Sequence, residues 1–329
     1  MMKALEKAQG GLAIFAARVL GHKRSFSVNF KITHRCNKNC SYCNITQSKE
    51  KELTTKQVKQ MIDEFKELGL LKLSINGGEP LLRKDIGEII DYAHEKGIIT
   101  IMVTNGELMK QRIKDIKNVD ILTFSLDGSE KTHDTLRGKD SFKKVMDAFK
   151  IARKEKLQLF TITVLTSKNL EDVDFVLDFC KKEKVNMTFQ PLYDYEYAAK
   201  DLSSLVPDPQ KFREAVQKII DAKKKGFPVF NSDTYLNRLL KWPDKTEMKC
   251  YAASFYCNVT PSGKIYPCSN LIGKKGVKGF DGVKLGFKEA FLKLDDPNCR
   301  HCWTSCYNEY NALFDLRPEV ALSTLKKMR

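Results

Sequence analysis

The sequence lacks any apolar run of about 18 residues, the length that a membrane-spanning helix requires. It also has no internal repeat, no low-complexity segment and no recognisable RNA-binding signature. The apolar stretch 11–17 is short and precedes no convincing small-residue cleavage site, so no signal peptide is predicted. These absences exclude an integral membrane protein and a repeat array, and they favour a cytoplasmic protein without a nucleic-acid partner.

The charge balance is strongly basic. Lys and Arg outnumber Asp and Glu by 57 to 41, which gives a formal net charge of +16. Such an excess favours an anionic partner such as a phospholipid surface or a phosphorylated substrate. However, runs such as Lys181-Lys182 and 223–225 are more typical of solvated helix ends.

The order of elements predicts an α/β fold. From Ser27 onward, strand-like apolar runs alternate with segments of helical period, the pattern of parallel βα units. Six such units predict a partial (β/α)6 barrel of the TIM type. The predicted strands cover 27–33, 71–76, 98–104, 120–126, 158–165 and 184–190. The predicted helices cover 54–69, 83–96, 107–117, 141–155 and 169–183.

Two smaller segments flank this barrel, which is predicted to cover 26–235. Residues 1–25 predict an amphipathic helix with a basic end, which could either dock on an anionic bilayer or close the bottom of the barrel. Beyond Gly226, Pro, Gly, Cys and aromatic residues replace the regular alternation, so a second module is predicted over 236–329. Within it, a hairpin is expected to turn at 261–263.

Three of the ten cysteines follow the first predicted strand as Cys36-x3-Cys40-x2-Cys43. Catalytic groups of α/β barrels lie at the carboxyl ends of the strands, and this loop has that position. Three thiolates can ligate three irons of a 4Fe-4S cluster and leave the fourth iron open. Two other interpretations are a zinc site completed by the nearby His34, and reduced thiols with a structural role.

This loop, including Tyr42 before its third cysteine, resembles the signature of the radical S-adenosylmethionine (SAM) superfamily. The resemblance implies that Cys36, Cys40 and Cys43 hold a catalytic 4Fe-4S cluster, and that SAM chelates the open iron. Reductive cleavage of SAM would then yield a 5'-deoxyadenosyl radical. An electron donor such as flavodoxin or ferredoxin is an implied partner.

Later motifs in the barrel extend the resemblance. Residues 76–80, Asn-Gly-Gly-Glu-Pro, are similar to the GGEP motif of the family, and Ser-Leu-Asp-Gly at 125–128 precedes an Arg-Gly pair at 137–138. Without the resemblance, residues 76–80 and Asp127-Gly128 would be interpreted as turns, and His133-Asp134 as a helix cap. With it, they imply a set of SAM-binding residues: Tyr42, Gly77, Gly78, Glu79, Asn105, Ser125 and Arg137.

The second module carries six more cysteines. Disulfides are not expected in a reducing cytoplasm, and a zinc knuckle is the alternative to a cluster. The spacing around the predicted hairpin resembles the auxiliary-cluster module called twitch, or a reduced SPASM domain. That resemblance implies a second 4Fe-4S cluster on Cys250, Cys268, Cys299 and Cys302, with Cys257 and Cys306 as replacement candidates. Cys180, in a helix of apolar period, is predicted to be a buried core residue.

The substrate is predicted less directly. The leading helix, the tyrosines at 193, 195 and 197, and the spacing of the last three cysteines resemble the radical SAM enzymes of hopanoid side-chain assembly. This favours modification of an unactivated carbon of a lipid, an isoprenoid or another small molecule. The alternative is a SPASM-type maturase of a ribosomally made peptide, although fewer than 30 residues precede the first strand, too few for a separate peptide-recognition domain. A non-catalytic zinc or iron-sulfur protein is the third interpretation.

Overall fold

The computed structural model describes residues 13–48, 50–193 and 197–315. Nine strands form one sheet in the order β6-β5-β4-β3-β2-β1-β7-β8-β9, and β1 to β6 are parallel. The strands are β1 Ser27–Thr33, β2 Lys72–Gly77, β3 Ile99–Thr104, β4 Ile121–Ser125, β5 Gln158–Leu165, β6 Asn186–Pro191, β7 Tyr256–Val259, β8 Lys264–Tyr266 and β9 Phe280–Asp281. The predicted α/β fold with six parallel βα units is confirmed.

The helices are α1 13–20, α2 Thr55–Glu67, α3 Ile86–Glu95, α4 Met109–Arg112, α5 Glu130–Arg137, α6 Ser141–Lys154, α7 Val173–Glu183, α8 Pro209–Lys224, α9 Asp233–Leu239, α10 Gly282–Leu285, α11 Phe287–Leu292 and α12 Ser305–Phe314. Helices α2 to α7 connect the parallel strands of the barrel, and the other helices precede or follow them. No helix of the described residues is both long and apolar enough to cross a bilayer.

The two faces of the barrel strands differ in character. Val28, Phe30 and Ile32 of β1 point outward into the main hydrophobic core, where they meet α2, α3 and their neighbours. Side chains alternate along a strand, so Asn29 and Lys31 between them point inward. The outer face therefore supplies the core, and the inner face supplies the lining of the barrel.

The C-terminal module is joined to the barrel. Strand β7 pairs in parallel with β1, and β8 pairs with β7 as the expected antiparallel hairpin. Helix α12 contacts β6 and α9, while Tyr307 in it accepts a hydrogen bond from Asn29 Nδ2. The module thus fills the open side of the barrel between β6 and β7. The sequence predicted a domain boundary between residues 235 and 236, but the strands of the module continue the barrel sheet.

Several predictions of individual elements need correction. The single helix predicted over 107–117 is divided into α4 and a 3-10 turn, Ile113–Ile116. His133 and Asp134 lie inside α5, yet the Asp134 side chain does act as a cap, because it accepts from the Asp140 and Phe142 amides at the start of α6, both at 2.8 Å. Helices α5 and α8 to α12 were not predicted. Most of them are short segments stabilised by packing against the rest of the protein, which a local pattern does not show. Helix α8 is different, because Asp208 caps it, Pro209 is its first residue and its buried apolar residues recur at helical spacing, so the sequence did contain its signal.

The amphipathic helix predicted near the amino end is present in its described part, α1. Ile14 and Ala17 pack against aromatic residues of the C-terminal module, and Arg18 Nε donates to Tyr251 Oη at 3.0 Å. Phe15 and Val19, which belong to the apolar side of the helical pattern, are more than half exposed.

Candidate functional site

The three-cysteine loop lies where the sequence predicted, at the carboxyl end of β1. Its start is fixed to the end of β2 by two backbone hydrogen bonds. The Gly78 amide donates to the Thr33 carbonyl at 2.8 Å, and the Glu79 amide donates to the Arg35 carbonyl at 2.8 Å. The position of Cys36 is therefore set by the strand that carries the glycine motif.

The two glycines of that motif are required by this contact. A Cβ atom at Gly77 would overlap the carbonyl oxygen of Thr33, and one at Gly78 would overlap that of Arg35. Gly77 also has a φ of +135°, which residues with a side chain rarely adopt. The glycines were predicted to let the backbone approach SAM. In the structure, the close approach is to the backbone that leads into the cysteine loop.

The middle of the loop is fixed to the end of β3. Asn37 donates to Glu107 at 2.6 Å, and Asn105 Nδ2 donates to Asn37 Oδ1 at 2.8 Å. Lys38 forms an ion pair with the same Glu107, which Lys144 also contacts. Asn105, predicted to bind SAM, thus orients the loop. Sequence reasoning missed Asn37 and Glu107, because no local pattern joins residues 70 positions apart.

The last part of the loop is held by two further segments. The Ser41 amide donates to the Leu136 carbonyl in α5 at 2.9 Å. The Ala199 amide donates to the Tyr42 carbonyl at 3.1 Å, and the Asn44 amide donates to the Tyr197 carbonyl at 2.7 Å. These bonds join the loop to the segment that follows β6. Four separate parts of the barrel therefore determine the course of the loop.

The thiols of the loop lie close enough to affect one another. Burial raises the pKa of Cys36 to about 11, and the thiols of Cys40 and Cys43 add to this effect. Burial also raises the pKa of Cys40, although the charge of Arg137 opposes it. Ionised thiols here need positively charged partners, which the irons of a cluster provide. Among the described residues, no three His, Cys, Asp or Glu side chains converge on a single metal ion. The donor set fits a cluster with three protein ligands.

Glu79 is fully buried and has three protein donors. Its carboxylate accepts from the Leu81 amide at 3.1 Å, from Thr104 Oγ1 at 2.7 Å and from the Asn105 amide at 2.8 Å. Burial raises its pKa to about 7, despite these hydrogen bonds. It joins the ends of β2 and β3, so the residue predicted to bind the amino group of SAM has a bracing role in this structure.

A second buried carboxylate, Asp127, organises the opposite side of the loop. It accepts from Arg137 Nε at 2.6 Å, from Tyr42 Oη at 2.7 Å and from the Val164 amide at 3.1 Å. Burial opposes ionisation of Asp127, but the charge of Arg137 and these hydrogen bonds outweigh it and lower the pKa. Sequence reasoning interpreted Asp127 as a turn residue and missed this role.

Arg137 is held by that carboxylate with its guanidinium carbon 5.5 Å from the centre of the Tyr42 ring. Its charge acts on Cys40, so the guanidinium lies beside the cysteine loop. Ser125, at the end of β4, is buried nearby and points inward, since Phe124 on the other face belongs to the core. The predicted SAM-binding residues Tyr42, Ser125 and Arg137 therefore all border the loop, whereas Glu79 and Asn105 support it.

His34 lies beneath the loop and is buried. Its Nδ1 is 2.7 Å from Ser48 Oγ, its ring centre is 4.6 Å from that of Tyr197, and Nε2 has no hydrogen-bond partner. Lys31 also reaches Tyr197, with Nζ 4.2 Å from the ring centre. Of the tyrosines at 193, 195 and 197, Tyr197 therefore packs inside the barrel mouth, and Tyr195 lies outside the described residues.

The structure groups five cysteines of the C-terminal module. Burial is the main cause of the raised pKa of Cys268, and the thiols of Cys302, Cys250 and Cys299 raise it further. Cys306 acts in turn on Cys302, whose pKa burial raises to about 12. Cys250, Cys268, Cys302 and Cys306 pack in one cluster with the buried Tyr256 and Tyr307. Three of the four proposed ligands and Cys306 therefore share this cluster, and Cys299 is linked to it by its effect on Cys268.

Cys257 is the residue that the structure does not bring to this group. It lies on the outer face of β7 in the main hydrophobic core, and its nearest polar contact is Ser25 Oγ at 3.8 Å. The neighbouring residues of a strand point to opposite faces, which separates Cys257 from Tyr256 and the other thiols. Cys180 is likewise buried in a core, as predicted.

Two family profiles match the chain. The profile of the radical SAM superfamily matches residues 30–180, and a domain of unknown function (DUF3463) matches residues 187–324. The first covers β1 to α7 with the cysteine loop and the glycine motif. The second covers the end of the barrel together with the C-terminal module.

Individual relatives agree with the first profile. GTP 3',8-cyclase of Campylobacter jejuni subsp. jejuni is 32% identical over 63% of this chain and 70% of its own. PqqA peptide cyclase of Bradyrhizobium diazoefficiens is 26% identical over 81% of this chain and 72% of its own. Among solved structures, SuiB of Streptococcus suis bound to S-adenosylmethionine is 17% identical, has a TM-score of 0.69 and covers 90% of this chain and 71% of its own. The chain belongs to the radical SAM superfamily, whose 4Fe-4S cluster and SAM are its implied cofactors.

Proposed function

We propose that this radical SAM enzyme modifies a peptide, and that its C-terminal cysteines hold an auxiliary 4Fe-4S cluster. A peptide substrate was the alternative interpretation of the sequence. It replaces the lipid or isoprenoid-like substrate as the leading hypothesis because the inner wall of the barrel is polar.

The polarity of this wall is the observation that carries the proposal. A dry, apolar barrel would suit a hydrocarbon substrate. Instead, polar side chains face inward from β1, β2 and β6, and apolar ones face inward mainly from β3 and β5. The inward polar residues are Asn29, Lys31, Thr33, Lys72, Ser74, Asn76, Thr188 and Gln190. Some of these groups already have protein partners, since Asn76 donates to Asn29, Thr33 to Glu52 and Thr188 to the Thr161 carbonyl. The amide, hydroxyl and ammonium groups of the rest of the wall can bind the carbonyl and carboxylate groups of a peptide.

The relatives support the same substrate class. PqqA peptide cyclase, by its name, acts on a peptide, and it matches most of this chain. A further structure of SuiB holds the precursor peptide SuiA and shares this fold at a TM-score of 0.63. GTP 3',8-cyclase acts on a nucleotide, which is also polar. The wall of this barrel is compatible with both kinds of substrate and less so with a hydrocarbon.

The residues around the loop would act as follows. Cys36, Cys40 and Cys43 would hold the cluster, while Gly77 and Gly78 keep the loop against β2. Arg137, oriented by Asp127, would bind the carboxylate of SAM through its remaining N–H groups. When bound, the cluster and SAM supply the electron and the 5'-deoxyadenosyl radical that abstracts a hydrogen atom. The barrel wall would position the substrate carbon and exclude water from the reaction.

The C-terminal group has a distinct proposed role. Four thiolates from Cys250, Cys268, Cys299 and Cys302 would leave no open iron, so this group would not bind SAM. Its position at the open side of the barrel, next to the inward-facing Lys72 and Asn29, suits the transfer of an electron from a substrate in the barrel. Cys306 could replace one of the four ligands, since it lies within the same group.

An anaerobic turnover experiment tests the proposal. The reconstituted and reduced protein is incubated with SAM and either the peptide fraction or a total lipid extract of the source cells. We expect the peptide fraction to increase formation of 5'-deoxyadenosine and to give a peptide of altered mass. Stimulation by the lipid extract alone, with an altered lipid, would contradict the peptide assignment.

Two variants control for the origin of the product. Cys36→Ala removes a proposed ligand of the SAM cluster and is expected to abolish 5'-deoxyadenosine formation. Cys180→Ala makes the same change in a core that lies away from the loop and should retain it. If the Cys36 variant kept full turnover, the assignment of the loop as the catalytic site would be wrong.

A further inference from the structure

The end of the barrel opposite the cysteine loop combines two unusual features. We call it the basal face, and define it by the amino ends of β1 to β6 and the carboxyl ends of α2, α3, α6, α7 and α8. Each of the first four helices ends a few residues before the next strand begins. The end of α8 joins the same face, because Pro228 accepts a hydrogen bond from the Met187 amide near the start of β6.

The first feature is an excess of exposed basic side chains. They lie in the last turns of these helices and in the short loops that follow. The exposed basic residues are Lys66, Lys96, Arg153, Lys154, Lys156, Lys181, Lys182, Lys184, Lys224 and Lys225. Two of these residues are in ion pairs, Lys96 with Asp63 and Arg153 with Glu183. The exposed carboxylates at the same ends are fewer, namely Glu67, Glu95 and Glu155, and Glu67 and Glu155 are paired with Lys288 and Lys117. The basal face is therefore strongly positive.

Charge alone would not require a partner, because cations at the carboxyl end of a helix are favourable for the helix itself. The second feature is independent of that effect. Helix α1 lies at the basal face, since it leads directly into the start of β1. On its outer side Phe15, Val19 and Leu20 are exposed by 54%, 65% and 64%.

These side chains form a continuous apolar strip. Phe15 and Val19 are four residues apart, as are Ala16 and Leu20, so their side chains are neighbours on one side of the helix. The opposite side of α1 is fixed to the protein by Ile14, Ala17 and Arg18. Lys23, just beyond the helix, donates to the Leu292 carbonyl at 3.1 Å, and Leu292 itself is partly exposed. The strip is thus presented outward from a fixed support.

We propose that the basal face docks on an anionic lipid bilayer. Phe15, Val19 and Leu20 would enter the boundary between headgroups and acyl chains, and the lysines at the helix ends of the basal face would contact anionic headgroups. A nucleic acid would satisfy the lysines but would leave the apolar strip exposed to water. A second copy of the chain would bring two positive faces together, which repel each other.

This orientation leaves the catalytic mouth free. The cysteine loop lies at the carboxyl ends of the strands, at the far end of the barrel from the docked face. A docked enzyme would therefore still receive SAM, an electron donor and a peptide from the aqueous side. The docking is independent of the proposed substrate, and either inference can fail without the other.

Co-sedimentation with vesicles tests the inference. The full-length protein is mixed with vesicles of phosphatidylcholine alone, or of phosphatidylcholine with about one third phosphatidylglycerol. We expect binding to the anionic vesicles, little binding to the neutral ones, and release at high salt, because screening weakens the attraction of exposed charges. Equal binding to both vesicle types would overturn the proposed charge recognition.

Two sets of variants separate the two features. The combined change Phe15→Ser, Val19→Ser and Leu20→Ser should weaken binding at least about tenfold, since it removes the inserted apolar groups. Its matched control is Val206→Ser, which changes an exposed apolar residue in a loop at the other end of the barrel. The combined change Lys154→Gln and Lys182→Gln should weaken binding about fivefold for each lysine. Its control is Lys143→Gln with Lys211→Gln, at the amino ends of α6 and α8.

The outcomes can be distinguished. If the triple variant bound anionic vesicles as well as the wild type, or if all four sets of changes had equal effects, the inference would be wrong. If the triple variant changed the mass of the protein in solution without changing vesicle binding, the strip would be a protein contact instead. The lysine pair tests the inference even if the triple variant fails to fold, because its side chains are exposed and lie outside the core.

Discussion

Replacing Asp127 with Asn tests the arrangement on which the proposed SAM site depends. The change keeps the size of the side chain and removes its charge. Arg137, whose side chain is only 11% exposed, would lose its ionic partner, and Tyr42 would donate to a neutral oxygen. The site would retain its shape, but the guanidinium would no longer be held by a charged group.

The magnitude follows from the burial of the pair. Leaving one member of a buried ion pair without its partner costs about 3 to 5 kcal/mol. Asparagine still offers one acceptor oxygen, and Arg137 retains some solvent contact, so we expect about 3 kcal/mol of lost stability. A charge-assisted hydrogen bond contributes about 1.5 to 3 kcal/mol. Loss of the oriented contact between Arg137 and the SAM carboxylate should therefore weaken SAM binding by a factor of about 10 to 150.

The assay compares the dissociation constant of SAM for the reconstituted variant and the wild type, with unfolding by urea measured in parallel. Asn169→Ala is the matched control. Asn169 is buried and donates to the Asp127 carbonyl at 2.8 Å, but it does not contact the carboxylate. We expect the control to lose stability and to keep its affinity for SAM. If Asp127→Asn folded and bound SAM as tightly as the wild type, the positioning role of Asp127 would be refuted.

Three further predictions concern other parts of the structure. Gly78→Ala should displace the cysteine loop and lower the iron content of the protein, because its Cβ would overlap the Arg35 carbonyl oxygen. Gly97→Ala, whose Cβ would meet no atom within 4 Å, should keep the iron content, and iron analysis distinguishes the two. Cys257→Ser should keep the full iron content, and Cys268→Ser should lose the iron of the auxiliary cluster. Burial lowers the pKa of His133 from 6.5 to about 4, so the folded state stays neutral while the unfolded state gains a proton as the pH falls through 6.5. That difference should remove about 2 kcal/mol of stability between pH 7 and pH 5, and urea unfolding of His133→Asn, which keeps an acceptor for the Asp127 amide, should show a smaller loss.

The barrel strands could be predicted from the sequence because a parallel sheet is covered by helices. Their buried residues on the helix-facing side recur at every second position and the strands are bounded by glycines and helix caps, and each of the six predicted strands agrees with the structure within two residues at each end. The cysteine loop could be located for a similar reason, since its spacing is local. What joins Asn37 to Glu107, or Tyr42 to Asp127, is the folding of the sheet, and no short segment contains both partners.

One feature of the site was present in the sequence and was not used. In β1, Asn29, Lys31 and Thr33 alternate with Val28, Phe30 and Ile32, which is the pattern of a strand with one polar and one apolar face. In an isolated sheet this pattern would place the polar face in water. In a closed barrel the polar face becomes the inner wall, so the same alternation predicts a polar cavity. Applied to β2 and β6, it argues against a hydrocarbon substrate without any structure.

The supports of the cysteine loop indicate how its geometry is maintained. Its backbone is hydrogen-bonded to the end of β2, to α5 and to the segment after β6, and its side chains are bound to the end of β3. Strands β2 and β3 belong to the main core, whereas Leu136 of α5 and Leu192 after β6 pack with Tyr42 in a smaller cluster. The loop position is therefore determined by several parts of the barrel together. A substitution far from the cysteines can therefore displace them if it moves one of these supports. Conversely, these contacts already determine the backbone course of the loop, which reduces the ordering that cluster assembly has to impose on the chain.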